Sequence, residues 1–263
     1  QIEKIDPSNI QVPLQRANLY RLAGEYDLSK KACESMLPTS IARQRNICLA
    51  SIEGLRASPV NARIKTDKLM AMLQFSRDLS IGEKLWTLQV ITELLYSHGY
   101  WQEAKLVIQQ GLEIKPTDIY LLTMHADILL QDKDYARVIE ILTPYYQYSP
   151  LLVRLLIAED ALNSPDFQNH KQIMQARWRE SELSGDQSHA RELSLYLLYV
   201  EKNTAKALEF ALLNWQSQKE ITDAVLLYSA AQAMQDTQVT KKVDQWQKYN
   251  NISIDLNSLA YKL

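Results

Sequence analysis

The sequence predicts an all-α protein built from repeated antiparallel helical hairpins. Only six of the 263 residues are glycine, far below the average usage of about 7%. Sheet proteins need many turns, and turns often use glycine, so this low content favours helices. Apolar residues recur at steps of three and four on both sides of short polar breaks, such as residues 97–100 and 131–135. This pattern is typical of two amphipathic helices joined by a tight turn. The same hairpin pattern also recurs along the chain after 34 residues.

The 34-residue period is clearest between residues 85–116 and 119–150, which align without a gap. Both segments end in a proline, at Pro116 and Pro150. Because the residue before a proline is displaced from the helical region, each proline is expected to end the second helix of its hairpin. The alignment pairs Leu88 with Leu122, Leu95 with Leu129, Trp101 with Tyr135, Ala104 with Val138, and Ile108 with Leu142.

This unit resembles the tetratricopeptide repeat family, which has a 34-residue helix-turn-helix unit with small residues at the helix crossing, an aromatic after the turn and a closing proline. The matching residues follow Pro7 and Pro116 at equal steps. They are Ala17, Gly24, Tyr26 and Ser29 in the first case, and Ala126, Lys133, Tyr135 and Val138 in the second. The resemblance implies a right-handed α-solenoid of stacked hairpins. Gly24 and Gly99 suit the left-handed conformation that often ends a helix.

About seven repeats are predicted within a single solenoid over residues 1–263. Pro7 lies in the phrase KIDPSN at residues 4–9, so residues 1–9 are predicted to end a repeat whose earlier part is missing. We therefore expect the chain to be a fragment of a longer protein. The predicted repeats are 10–38, 39–80, 85–118, 119–150, 151–185, 187–221 and 222–251, followed by a C-terminal cap at 252–263 that covers the last repeat's apolar face.

Charge and hydropathy argue against nucleic-acid binding and against a membrane-spanning helix. The formal net charge is -2, with 29 basic and 31 acidic residues, so no basic surplus is present to neutralise phosphates and nucleic acid is not expected to bind. The longest uninterrupted apolar stretches, such as residues 195–200, are far shorter than the roughly 20 residues that a membrane-spanning helix needs. No membrane span is predicted.

The sequence offers no pattern typical of an enzyme. It contains no phosphate-binding glycine loop, no Gly-x-Ser-x-Gly elbow and no His-Glu-x-x-His motif, and these are the common local signatures of catalysis. The four histidines, His98, His125, His170 and His189, are widely separated and are interpreted as packed or partly exposed side chains. No catalytic residue, metal site or cofactor is therefore predicted.

Cys33 and Cys48 are the only two cysteines. They are predicted on the second helix of one repeat and the first helix of the next, which are neighbours in a stack. A disulfide closing this 15-residue loop would contribute roughly 3 kcal/mol in the chain-entropy model, but free buried cysteines are also ordinary small core residues. Both states remain open at this point.

The predicted binding surface is the concave side, which the first helices of stacked hairpins line. Residues 34 apart form stripes there: Trp86 with Tyr120, Val90 with Met124, Glu93 with Asp127, and Tyr96 with Leu130, with Tyr196 and Tyr199 extending them. One interpretation is that half of the aromatic side chains pack against the neighbouring repeat. The other is a groove with aromatic anchors and a line of carboxylates, suited to a protein or peptide segment with apolar and basic residues.

From about residue 83 onward the chain also resembles uncharacterised bacterial tetratricopeptide proteins that carry export signals, most closely over residues 189–233. This resemblance implies a periplasmic or cell-envelope location; otherwise a cytoplasmic one is expected. The predicted function is a non-catalytic protein-binding or peptide-binding scaffold. The alternative is a docking or sensing arm of a larger enzyme or regulator whose active domain lies upstream of residue 1.

Overall fold

The computed structural model describes residues 11–36, 42–185 and 188–261. These residues form α-helices and one short 3-10 turn, with no β-strand among them, so the predicted all-α class is confirmed. The truncated repeat predicted at residues 1–9 lies outside the described residues. The helices are α1 (Gln11–Leu22), α2 (Tyr26–Glu34), α3 (Ala42–Leu55), α4 (Pro59–Phe75), α5 (Ile81–Ser97), α6 (Trp101–Ile114), α7 (Ile119–Gln131), α8 (Tyr135–Leu142), α9 (Ser149–Leu162), α10 (Phe167–Ser184), α11 (Ala190–Tyr199), α12 (Thr204–Ser217), α13 (Ile221–Ala233), α14 (Thr237–Tyr249) and α15 (Leu256–Leu259).

Helices α1 to α14 follow one another closely along the chain, which divides them into seven consecutive pairs. We call the odd-numbered helices from α1 to α13 the first helices, and the even-numbered ones the second helices. Within a pair, α1 packs on α2, α5 on α6, and α9 on α10. First helices also pack on first helices, as α3 does on α5, α7 on α9, and α9 on α11. This packing of neighbours is compatible with a helical repeat.

The turns inside two pairs use glycine in the predicted way. Gly24 and Gly99 have φ angles of 78° and 80°, which confirms the left-handed conformation predicted for them. Lys133, one period after Gly99, adopts φ 59° without being a glycine. The two equivalent turns therefore share a left-handed backbone conformation, although one has glycine and the other lysine at this position.

The two prolines used to define the period have different roles. Pro116 lies two residues beyond the end of α6, as predicted. Pro150, by contrast, lies in the first turn of α9, and α8 ends at Leu142, before the 3-10 turn that contains Pro144. The prediction that Pro150 ends a second helix is therefore wrong. Proline is tolerated in a first turn because its missing N–H has no partner within the helix there.

The structure divides into two compact units. Unit 1 contains α1 to α6 with two short pieces from later in the chain, Ser217–Glu220 and Gln245–Asp255. Unit 2 contains α7 to α11, α13, α15, and the parts of α12 and α14 that do not belong to unit 1.

In unit 1, the two later pieces pack against the first hairpin. The Lys219 amide donates to the Leu22 carbonyl at 2.7 Å, and the rings of Tyr26 and Trp246 lie 6.2 Å apart. A Cβ placed on Gly24 would come within 2.9 Å of the Trp246 side chain. A simple stack predicts contacts only between neighbouring repeats, so unit 1 departs from that expectation.

Unit 1 also contains the two cysteines. Cys33 on α2 and Cys48 on α3 form a disulfide, with their Cα atoms 5.7 Å apart. Both side chains are buried. The bond therefore links two consecutive hairpins through their adjacent helices.

The core of unit 2 is the layer of first helices. Its most deeply buried side chains include many aliphatic ones, each at most 2% exposed: Leu121, Ile128 and Leu130 on α7, Leu151, Leu152, Leu155 and Leu156 on α9, and Leu193 and Leu197 on α11. Ser194 on α11 donates its hydroxyl to the Ala207 carbonyl of α12 at 2.8 Å. This close approach is possible because Ala207 has a small side chain.

Candidate functional site

The ten residues predicted for the binding surface all lie on first helices, but most of their side chains are covered. Trp86, Glu93 and Tyr199 are partly buried, and only Tyr120 is exposed, at 39%. A docking role requires accessible side chains, so the buried members do not present one in this structure. They are Val90 and Tyr96 on α5, Met124, Asp127 and Leu130 on α7, and Tyr196 on α11.

On α5, Glu93 is held by an arginine of the first hairpin. Arg21 Nη1 lies 2.7 Å from Glu93 Oε1, and Arg21 Nη2 lies 2.8 Å from Glu220 Oε1. Burial raises the pKa of Glu93 above its usual range, and the charge of Arg21 opposes that rise. Glu93 is therefore an internal ion-pair partner in unit 1.

On α7, Asp127 is likewise held by an arginine. The guanidinium of Arg154 on α9 binds both carboxylate oxygens, with Nη2 at 3.0 Å from Oδ2, and also donates to the Pro150 carbonyl at 2.8 Å. Burial opposes the charged form of Arg154, but the carboxylate of Asp127 raises the pKa of Arg154 overall. The predicted line of free carboxylates is thus absent at both of its described members, Glu93 and Asp127.

On α11, the two tyrosines differ in their surroundings. Tyr196 is buried, and its hydroxyl donates to Glu201. Tyr199 lies in a ring contact with Tyr261, with centroids 5.0 Å apart. Burial raises the pKa of both phenols above the ordinary tyrosine value. Both hydroxyls are therefore neutral hydrogen-bonding groups near pH 7.

Residues 256–261, which we call the tail segment, lie on three first helices of unit 2. The Tyr261 hydroxyl donates to the Asp127 carboxylate of α7, and Gln131 of α7 donates to the Leu259 carbonyl at 2.6 Å. α15, which forms most of the segment, packs against α13. The tail segment, which is part of the predicted cap at residues 252–263, therefore reaches well beyond the last helix pair.

We call the residues that receive this segment the tail site: Asp127, Gln131, Tyr199 and Gln232. Gln232 of α13 donates to the Asn257 side chain at 3.0 Å. The tail segment's own apolar side chains are almost fully covered, with Leu256 at 4% and Leu259 at 1% exposure. The site thus combines apolar burial with amide, phenol and carboxylate contacts at its edge.

Sequence reasoning missed the arginines and the amides of these clusters. Arg154 is the one charged residue within the apolar run of residues 151–158, and a charge in such a run is a signal of a buried ion pair. A second pair of this kind joins Arg191 on α11 to Asp223 on α13, with Nε 2.6 Å from Oδ1. No comparable signal in the sequence identifies Gln131 or Gln232.

Other ionisable groups in unit 2 are also paired internally. His170 Nδ1 lies 2.8 Å from Glu159 Oε1, and both side chains are buried. Burial raises the pKa of Glu159, whereas the neighbouring His170 opposes the rise. Within residues 11–36, 42–185 and 188–261, no group of three or more histidine, cysteine, aspartate or glutamate side chains is arranged to hold a metal ion.

Comparisons with known proteins identify no relative. A scan against models of protein families found no match, and neither curated proteins nor solved structures gave a significant match. Among the helices described above, none is long and apolar enough to cross a membrane.

Proposed function

We propose that this protein is a non-catalytic scaffold that binds a protein or peptide segment through its first helices, in a tetratricopeptide-like α-solenoid. Two features of the structure support the proposal. The helices follow one another in pairs, and first helices pack on first helices in both units. Within each unit, such a layer presents neighbouring helix surfaces of the kind that extended or helical ligands use in repeat proteins.

The observation that carries the proposal is the tail segment on the tail site. Six consecutive residues lie across α7, α11 and α13, with both leucines buried and backbone as well as side chains hydrogen-bonded. This surface therefore has the shape and the polar groups to hold a short peptide. An ordinary solvent-exposed helix surface offers no such set of contacts.

The structure changes the chemistry expected of the partner. A line of free carboxylates would select basic side chains, but Glu93 and Asp127 are each neutralised by an internal arginine. We keep apolar side chains in the proposed partner segment, because the tail site buries two leucines. We therefore propose a partner segment with apolar side chains and a hydroxyl donor, and without a requirement for lysine or arginine.

We also propose that the scaffold works in an oxidising compartment, such as the periplasm or cell envelope of a bacterium. The disulfide between Cys33 and Cys48 supports this location, since such bonds persist outside the reducing cytosol. The two cysteines are buried, so the bond is an internal cross-link between the first two hairpins. A thiol titration of denatured protein, purified from its native compartment without reductant, tests this proposal. Two free thiols per chain would contradict an oxidising compartment.

A site-specific photo-crosslinking experiment tests the scaffold proposal. A benzophenone amino acid replaces Tyr120 or Trp86 on first helices, and in matched controls it replaces Leu106 or Leu183, which are 60% and 90% exposed on second helices. We expect one protein to crosslink at the first-helix positions and not at the controls, and to bind the purified chain in solution. Equal labelling at all four positions, or no binding by the purified pair, would contradict the proposal.

A further inference from the structure

We propose that the tail segment is a displaceable occupant of the tail site, so that it both regulates the site and shows which partner the site accepts. This inference rests on the proposed binding function and makes it specific. The partner is a segment with two aliphatic side chains three residues apart and a tyrosine two residues further on, the spacing of Leu256, Leu259 and Tyr261.

The contacts of the tail segment resemble those of a bound peptide. Leu256 and Leu259 are buried, whereas Asn257 between them is exposed. Apolar anchors with solvent-facing residues between them are the usual pattern of a short helical ligand in a groove. α15 has only four residues, too few for a helix that is stable by itself. The tail site therefore gives this segment its structure.

The polar contacts make the site selective for a tyrosine. The Tyr261 hydroxyl donates to Asp127, whose carboxylate is fixed by Arg154, and the Tyr261 ring lies against the ring of Tyr199. Phenylalanine at this position would keep the ring contact and lose the hydrogen bond to a charged acceptor. Such bonds are among the stronger ones in proteins, so the site discriminates between the two side chains.

Attachment in the same chain makes the tail segment a strong competitor. A tethered ligand acts at an effective concentration on the order of millimolar, so a free segment of the same sequence binds the intact protein weakly. Loss of the anchors from the tail segment, with the tail site unchanged, then opens the site. The proposal thus predicts that weakening the tail segment increases the affinity for a free peptide.

The test uses the whole 263-residue chain and a fluorescent peptide of residues 252–263. The opened variant is Leu256→Asp with Leu259→Asp, and the matched control is Ser253→Asp, an exposed position just before the segment. Fluorescence anisotropy should show at least tenfold tighter binding to the opened variant than to wild type or control. The peptide carrying Tyr261→Phe should bind the opened variant about five- to tenfold more weakly than the native peptide.

Each other outcome overturns the inference. Equal affinity for wild type and a folded opened variant means that the segment is not a competitor. Loss of helix content in the opened variant, by circular dichroism, means that the segment is part of the core. A wild-type dimer by light scattering, absent from the opened variant, assigns the site to the tail of a second copy. If photo-crosslinking still finds its partner in these cases, the scaffold function stands and only the self-occupied site fails.

Discussion

Arg154 of α9 and Asp127 of α7 form a two-point ion pair in which both side chains are buried, at 5% and 3% exposure. The pair lies within unit 2 and links consecutive first helices. Because the Tyr261 hydroxyl also reaches Asp127, the same carboxylate connects the core of the unit to the tail segment. The stability of the unit and the state of the tail site are therefore coupled at Asp127.

Arg154→Met should lower the free energy of unfolding by about 3–5 kcal/mol, because it leaves Asp127 buried without its counter-charge. Adding Asp127→Leu to the same chain should recover most of this loss, since a well-packed apolar pair can replace a buried ion pair. Urea denaturation followed by circular dichroism measures all three chains.

The control for this cycle is the exposed pair between Arg137 and Glu140 on α8. Exposed pairs contribute at most about 1 kcal/mol, so Arg137→Met should have a small effect. A small effect of Arg154→Met as well would show that Asp127 is adequately solvated in the folded protein. That result would also weaken the assignment of Asp127 as the fixed acceptor for Tyr261.

The helix pairs could be predicted from the sequence because a 34-residue period and three-to-four spacing are local properties. The role of Pro150 could not be predicted from the sequence, since proline can either end a helix or lie in its first turn. Contacts such as Lys219 with Leu22 are also unpredictable from a local pattern. They join residues that lie far apart in the sequence, which no short spacing encodes.

The accessibility of the residues predicted for the binding surface could not be derived from the sequence, for a related physical reason. Period alignment places Asp127 and Tyr196 on first helices, but it does not show which other side chain covers them. Arg154 and Tyr261 determine that, and Tyr261 lies 134 residues from Asp127 in sequence. Helix position is therefore predictable here, whereas accessibility requires the long-range contacts.

Reduction of the Cys33–Cys48 bond should lower the free energy of unfolding by roughly 3 kcal/mol, the value expected for a 15-residue loop in the chain-entropy model. Denaturation curves of wild type with and without reductant measure the difference. The variant Cys33→Ala with Cys48→Ala is the control, because reductant should leave its curve unchanged. A wild-type curve that does not respond to reductant would contradict a stabilising bond.

Gly54→Ala should destabilise unit 1 by about 1–3 kcal/mol. A Cβ at this position would lie 2.5 Å from both Cδ atoms of Leu94, and added volume in a packed interior forces side chains from their preferred rotamers. The matched control is Gly82→Ala in the first turn of α5, where a Cβ meets no atom within 4 Å. That change should be neutral or stabilising by up to about 1 kcal/mol. Equal effects at the two positions, measured by thermal denaturation, would contradict the close approach of α3 and α5.

His98 should make the stability of the protein fall with acidification. Burial lowers the pKa of His98 below its ordinary value, and its Nε2 lies 2.9 Å from the Gly54 carbonyl, which the neutral ring can bind as a donor. The folded state therefore binds fewer protons than the unfolded state. This contribution is fully present above the ordinary histidine pKa of about 6.5 and is lost as pH falls below it.

The experiment compares the free energy of unfolding at pH 7.5 and pH 5.5 in wild type and in His98→Gln, which keeps an amide donor. Wild type should lose more stability between these values than the variant does. His189→Gln, at an exposed histidine, is the control for replacing a histidine as such. Because all three chains share their other titrating groups, the difference between them isolates His98. The same loss in all three would mean that the His98 ring is as easily protonated in the folded protein as in the unfolded chain.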